Sequence, residues 1–377
     1  MAPIYLDCNA TTPLDPEVRE VFLRFLTPEF GNEGSRTHEL GARSKQAVQR
    51  ARDQVAAVVS AKRDEVIFTS GATESNNLAI LGLRTAGREL GRLHIITSAI
   101  EHKAVLEPCE VLEREGFEVT RLPVGSGGFL NPEEVRNALR PDTLLVSVMH
   151  VNNETGVRQP IDKIAEILHS HEAYFHTDAA QGFGKDLDPL RNPRIDLISI
   201  SGHKIYAPMG IGALITRRRG YDRPPLRPLS YGGGQERGLR PGTLPVALIT
   251  ALGTAAEISV RDNAKRLQVC RHIREKAVSA LATLDPRLTG DQSLVMDHVM
   301  NLAFPGLDSE ALMVALKDLV AISNGSACTS SSYTPSHVLK AMGMDDDEAN
   351  ACVRISWCHL TPDVDWDSVA DRIRVLR

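Results

Sequence analysis

Short apolar runs alternate with segments of helical period along most of the chain. Residues 66–69, 93–97, 144–148, 174–177 and 197–200 are of strand length, and their apolar, aromatic and β-branched content reads as buried strands. Between them, stretches such as residues 160–169 carry the spacing of helices. Strands that take turns with helices predict an α/β sheet and argue against an all-helical fold. The alternation runs from about residue 15 to about residue 255, ending near the loop Gly232-Gly233-Gly234, and this stretch (15–255) is expected to form a large domain. From Ala255 to Leu284 the pattern turns helical, and short strands and helices follow to Arg377. Residues 256–377, completed by residues 1–14, are expected to form a smaller domain. No internal repeat or low-complexity tract interrupts this order.

Composition narrows the class of protein without naming a chemistry. With 377 residues, 42% hydrophobic and 24% charged, the chain can bury a large core. A formal charge of -5 gives no broad basic field, which argues against a direct grip on nucleic-acid phosphates. The run Arg217-Arg218-Arg219, with Arg223, Arg227, Arg237 and Arg240 nearby, is expected to be a solvated loop or a subunit edge, because no pattern of interleaved aromatics supports stacking on bases. Neither an apolar stretch of about 18 residues nor a basic-then-apolar leader is present, so a cytoplasmic protein without membrane contact is expected. Six cysteines without a Cys-x-x-Cys spacing suggest neither a disulfide framework nor a metal site, and reduced thiols are expected.

The chemistry lies at a few strand ends. Ser201-Gly202-His203-Lys204 follows one apolar strand and Asp178 closes another. Lys204 offers an amine able to form a Schiff base, and Asp178 a carboxylate able to hold a protonated pyridine nitrogen, the two protein groups that pyridoxal 5'-phosphate most needs. Each has a plain reading alone, since most lysines are solvated surface charges and an Asp at a strand end can be a cap. The strand at 66–69 turns at Gly71 into a helix that begins near Ala72 and Thr73, where free N–H groups and the positive end of the helix dipole suit a dianion. Such a turn is ordinary by itself; with Ser201 and His203 able to donate to the same phosphate, it becomes a cofactor site. Cys328 sits in Ser323-Asn324-Gly325-Ser326-Ala327-Cys328-Thr329-Ser330-Ser331-Ser332, a small, polar run that suits a nucleophile better than a core thiol. Cys8, Cys109, Cys270, Cys352 and Cys358 have no such setting and are expected to be structural.

Tyr5-Leu6-Asp7 with Asn9-Ala10-Thr11-Thr12, Thr69-Ser70-Gly71-Ala72-Thr73-Glu74-Ser75-Asn76-Asn77, Glu101-His102, Val151-Asn152-Asn153-Glu154 and Arg354-Ile355-Ser356 extend the pattern over nearly the whole length. In these phrases the chain resembles the cysteine desulfurases, pyridoxal-phosphate enzymes that take sulfur from L-cysteine and hold it as a protein persulfide. The resemblance implies a fold-type-I α/β transferase, with a mostly parallel seven-stranded sheet between helices and a smaller α+β domain. It implies that His102 stacks on the cofactor ring and exchanges protons with the substrate, and that Gln181 bonds the cofactor's phenolic oxygen. Asn153 is implied to contact cofactor and substrate carboxylate, Arg354 to grip that carboxylate as a bidentate fork, and Asn32 to assist. Thr243 in Arg240-Pro241-Gly242-Thr243 resembles the donor to the phosphate of the neighbouring subunit, which implies a homodimer. Cys328 is implied to receive the sulfur and pass it to an acceptor protein. One departure is Asn32-Glu33-Gly34-Ser35, where the family more commonly reads Asn-Pro-Ser-Ser.

The short cysteine segment resembles the branch of iron–sulfur-cluster and nitrogenase-associated enzymes. Phe30-Gly31-Asn32-Glu33-Gly34-Ser35-Arg36-Thr37-His38 and Tyr221-Asp222-Arg223-Pro224-Pro225 look closer to the Dnd-type desulfurases of DNA phosphorothioation. The expected acceptor is therefore a phosphorothioation-pathway protein, with an iron–sulfur scaffold or tRNA thiolation as the alternative. An aminotransferase or selenocysteine lyase would not need the Cys328 segment, and a silent scaffold would not need Lys204, Asp178, His102 and Cys328 together.

Overall fold

A computed structural model describes residues 2–325 and 335–376; Cys328 and its neighbours 326–334 lie outside the described residues. The strands are β1 (Ile4–Tyr5), β2 (Val66–Thr69), β3 (His94–Ser98), β4 (Glu118–Leu122), β5 (Thr143–Ser147), β6 (Tyr174–Asp178), β7 (Leu197–Ser201), β8 (Gly212–Thr216), β9 (Arg287–Leu288), β10 (Val299–Ala303), β11 (Val320–Ala321) and β12 (Cys352–Ser356). Seven of them form the central sheet in the order β2-β8-β7-β6-β5-β3-β4. Neighbours from β7 to β4 are parallel, and β8 runs antiparallel to both β7 and β2. Strand β2 therefore points the same way as β3, β5, β6 and β7, and their carboxyl ends share one edge.

Alternation along the strands feeds two cores, one on each face of the sheet. Phe68, Ile96, Val146, Ile198 and Ile215 join a core with Val48, Val55 and Ile249 from the helices Glu39–Val58 and Val246–Arg261. Ile67, Ile95, Leu145 and Leu214 join the opposite core with Leu78 and Leu112 from the helices Ala72–Leu81 and Lys103–Arg114. A third core lies apart from these. It gathers Leu302 and Ile355 of the three-stranded sheet β12-β10-β9, Leu281 and Ile373 from the helices Asn263–Leu281 and Trp366–Val375, and Leu6 from the N-terminal segment. Strand β1 reaches the same region by pairing in parallel with β11. Residue 255 falls inside the helix Val246–Arg261, and the chain changes direction at Asp262 before the next helix begins.

Within the arginine run, expected to be a solvated loop or a subunit edge, Arg217 departs from solvation. Arg217 is buried, and its guanidinium donates to the carbonyls of Leu190 (2.7 Å), Ile195 (3.1 Å), Asn192 and Val59. Arg219 is paired with Asp196 at 2.7 Å, and Arg218 and Arg223 share Asp64. Backbone carbonyls at element ends, left over where helices and strands stop, draw the Arg217 guanidinium inward. Cys8, Cys109, Cys270, Cys352 and Cys358 are all buried. Among the described residues, no helix is long and apolar enough to cross a membrane.

Candidate active site

Open α/β sheets bind ligands beyond the carboxyl ends of their strands, and here that edge holds a cavity of about 460 Å³. Ala72 and Thr73 reach it from beyond β2, His102 from beyond β3, Asn153 from beyond β5, Asp178 and Gln181 from β6, Ser201, His203 and Lys204 from β7, and Arg354 from β12. Asn32 and Thr243 are exposed and do not line the cavity of their own chain. Asn32 turns its side chain onto its own loop, where Oδ1 accepts from the N–H of Gly34 at 2.9 Å.

The turn after β2 depends on a close approach of two backbones. A Cβ on Gly212 of β8 would lie 2.6 Å from Cα of Gly71 and 2.4 Å from the carbonyl oxygen of Ile200, so only glycine lets β8 pass. Glu74 closes the turn by accepting from the N–H of Ser70 at 2.6 Å, and its other oxygen pairs with Arg240 at 3.0 Å. The first N–H groups of the helix Ala72–Leu81 have no intrahelical carbonyl to bond and are directed to the cavity end of the helix. The pKa of His203, which also lines the cavity, is pushed down to about 4, mainly by burial and next by Lys204.

Asp178 is held by two donors. Oδ2 accepts from Nδ2 of Asn76 at 2.7 Å and Oδ1 from the N–H of Ala180 at 2.9 Å. Lys204 ends a tight turn after β7, and its Nζ donates to the carbonyls of Ala10 (2.7 Å) and Asn9. Gln181 Nε2 donates to the same Asn9 carbonyl at 2.9 Å, so the N-terminal segment forms one wall of the site. His102 caps the helix Lys103–Arg114, its Nδ1 accepting from the N–H of Ala104 at 3.0 Å. That contact leaves the ring proton on Nε2. Burial lowers the affinity of His102 for a second proton, with Asp178 opposing, and the positive helix end also disfavours the cation. Arg354 donates to Asp7 (2.6 Å), the carbonyl of Asn153 (3.0 Å) and Ser323 Oγ (3.1 Å), and its Nε has no partner among the described residues.

The donor set fits pyridoxal phosphate. The site offers an amine, a carboxylate fixed by two hydrogen bonds, a helix N-terminus, and buried Gln181 Oε1 and Asn76 Oδ1 that lack partners among the described residues. The sequence did not single out Asn76, Asn9 or Asp7 as site groups, although all three lie in the phrases that carry the resemblance. Asn76 follows the turn at Gly71 by about one helical turn, which was the available signal.

Comparison with known proteins agrees with this geometry. The class-V aminotransferase family profile matches residues 4–368. The cysteine desulfurase IscS of Rickettsia bellii is 46% identical over 368 residues, covering 97% of this chain and 88% of the relative. The crystal structure of DndA from Streptomyces lividans is similar with a TM-score of 0.83 and 52% identity, over 93% of this chain and 98% of that one. SspA, solved in complex with cysteine, has a TM-score of 0.80 and 37% identity, over 94% and 98% of the two chains. The chain belongs to the class-V aminotransferase family and, within it, to the cysteine desulfurases, which work with pyridoxal 5'-phosphate.

Proposed function

We propose that this chain converts L-cysteine to L-alanine, takes the sulfur onto Cys328 as a persulfide, and delivers it as a homodimer to an acceptor protein of DNA phosphorothioation. The observation that carries the reading is the meeting of Lys204, Asp178 and His102 around one cavity beside Arg354. When bound, the cofactor supplies an aldehyde that captures amines and a protonated ring that withdraws electrons from the substrate's α-carbon. Lys204 Nζ would hold the aldehyde at rest and, once released by the substrate amine, take the α-proton. Asp178 would hold the proton on the ring nitrogen, its position fixed by Asn76 and Ala180. The N–H groups of Ala72 and Thr73, with Ser201 and His203, would bind the phosphate, and Gln181 the phenolic oxygen. Arg354 and Asn153 would orient the substrate carboxylate, with the arginine exchanging Asp7 for the ligand or sharing itself between them. The balance is one thiol and one cysteine giving one persulfide and one alanine, with no external oxidant.

The division into 15–255 and 1–14 with 256–377 is part of the same proposal, and the separate core around Leu6, Leu302 and Ile355 supports it. Similarity to DndA supports the phosphorothioation acceptor. The IscS relative supports the second reading, a donor to an iron–sulfur scaffold or to tRNA thiolation.

The test uses cysteine labelled in its sulfur under single-turnover conditions. Lys204→Ala is expected to lose the visible absorption of the bound cofactor, whereas Cys328→Ser is expected to keep it and carry no label. Sulfide or persulfide released at the normal rate by Cys328→Ser overturns the nucleophile. Offering labelled enzyme to a phosphorothioation-pathway acceptor and an iron–sulfur scaffold in parallel separates the two pathways, since transfer to the scaffold alone overturns the first.

A further inference from the structure

We propose that Glu154 is a positioning residue that anchors the downstream flank, Ser336 and the helix after it, of the segment carrying Cys328. The proposal rests on Cys328 being the sulfur acceptor. Glu154 directly follows Asn153, yet its side chain is not part of the cavity wall. It belongs to a turn with little freedom. Asn152 Oδ1 accepts from the N–H groups of Glu154 and Thr155, both at 2.9 Å. Gly156 then takes a φ of 76°, and a Cβ there would lie 2.2 Å from Val299 Cγ1.

The turn delivers a carboxylate, only 3% exposed, to the vicinity of Gly325 and Ser336. On the downstream side, Ser336 Oγ donates to Glu154 Oε2 at 2.5 Å and accepts from the N–H of Leu339 at 3.2 Å, so one hydroxyl joins the carboxylate to the start of the helix His337–Ala341. His337 Nε2 meets the carbonyl of Glu101 at 2.8 Å, which fixes the same helix beside His102. On the upstream side, a Cβ on Gly325 would sit 3.6 Å from Glu154 Cγ. Ser323 Oγ donates to Asp7 at 3.0 Å, and Arg354 donates to Ser323 Oγ at 3.1 Å. Gly325 therefore lies close to the same buried side chain that Ser336 is bonded to. Where a nucleophile must meet a substrate atom, anchors of this kind set the fraction of time it is in reach, and a misplacement of about 1 Å can cost about a hundredfold.

Burial raises the proton affinity of Glu154, and Ser336, His337 and Arg354 each pull it back. Glutamine in its place keeps an oxygen for Ser336 without a charge; alanine removes the anchor.

The experiment compares Glu154→Ala, Glu154→Gln and Ser336→Ala in the full-length holoenzyme. Transfer of labelled sulfur to the protein is followed in a single turnover, and cofactor affinity is measured separately by fluorescence. The expected result is label transfer slowed by about tenfold or more in Glu154→Ala, with cofactor affinity unchanged. Glu154→Gln is expected to recover most of the rate, and Ser336→Ala to show part of the loss. Wild-type transfer in Glu154→Ala overturns the proposal, and so does a loss in Glu154→Gln equal to that in Glu154→Ala. If Glu154→Ala fails to hold cofactor, Ser336→Ala decides, and an unchanged rate there overturns it. Cys328→Ser run alongside keeps the two claims apart, because label on that variant refutes the acceptor while a silent Cys328→Ser leaves only Glu154 in question.

Discussion

A carboxyl group with no water around it becomes a sensor of pH, and Glu101 is in that position. It has no exposed surface, and Ser98 Oγ (2.5 Å) and the N–H of Met149 (2.9 Å) both donate to the same oxygen, Oε1. Burial, with a smaller contribution from Asp178, pushes its pKa from the ordinary 4.5 up to about 8. In the unfolded chain Glu101 gives up its proton near its ordinary pKa, whereas the folded protein retains it until about pH 8. The stability contributed by the retained proton is complete below the ordinary pKa and is lost as pH rises to the folded value, by up to about 1.4 kcal/mol per pH unit. Glu101→Gln cannot titrate and escapes this slope. Its melting temperature relative to the wild type is expected to improve when the pH is raised from about 5 to about 8. A difference that stays constant between those two pH values would show that Glu101 is ionised in the folded protein.

At the scale of elements, the sequence was most legible where burial is simplest. Strands covered on both faces need apolar side chains on both, so β2, β5, β6 and β7 stand out as apolar runs and their bounds agree with the expected ones to within a residue. Edge strand β4 reads Glu-Val-Thr-Arg-Leu and is half exposed, which hid it. Asp178 and Lys204 were legible because they follow such runs directly. The partners that hold the site were not, because Arg354 meets Asp7 across 347 residues and Asp178 meets Asn76 across 102. Arg217 shows the same blindness in a structural role. Read as one of a solvated run, it instead ties the end of β8 to the carbonyls of Val59, Leu190, Asn192 and Ile195. Arg217→Met retains most of the volume but strands these buried carbonyls, so a loss of about 3 kcal/mol or more is expected. The readout is thermal unfolding, with a melting point lower by about 5 °C or more. A melting point within a degree of the wild type would show that the four carbonyls find other donors.

Across the whole molecule, the loop that carries Thr243 does not line the cavity of its own chain, and its anchoring is unusually firm. Glu236 and Arg237 both take left-handed backbone angles, φ 47° and 59°, which non-glycine residues adopt only where the surroundings compel them. The compulsion comes from Glu236, which is buried, bonded to both guanidinium nitrogens Nη1 and Nη2 of Arg52, and accepts from the N–H of Phe68 on β2 at 2.7 Å. Tyr231, next to this loop, is 87% exposed and Met209, on the cavity rim, is 64% exposed, apolar surface that a second copy would cover. If Thr243 donates to the phosphate of the partner's site, Thr243→Ala loses a hydrogen bond to a charged group, worth about 1.5 to 3 kcal/mol, and cofactor binding is expected to weaken by about tenfold or more. Heterodimers sharpen the test. Pairing a Thr243→Ala chain with a Lys204→Ala chain leaves, under the shared-site geometry, one site with both groups intact and one with neither. Such heterodimers, assembled with two affinity tags, are expected to bind cofactor at wild-type affinity in half of their sites and to show half of the visible absorption. Weak binding in the heterodimer, like that of the Thr243→Ala homodimer, would mean that the threonine acts within its own chain. A fully active monomer in analytical ultracentrifugation would remove the shared site altogether.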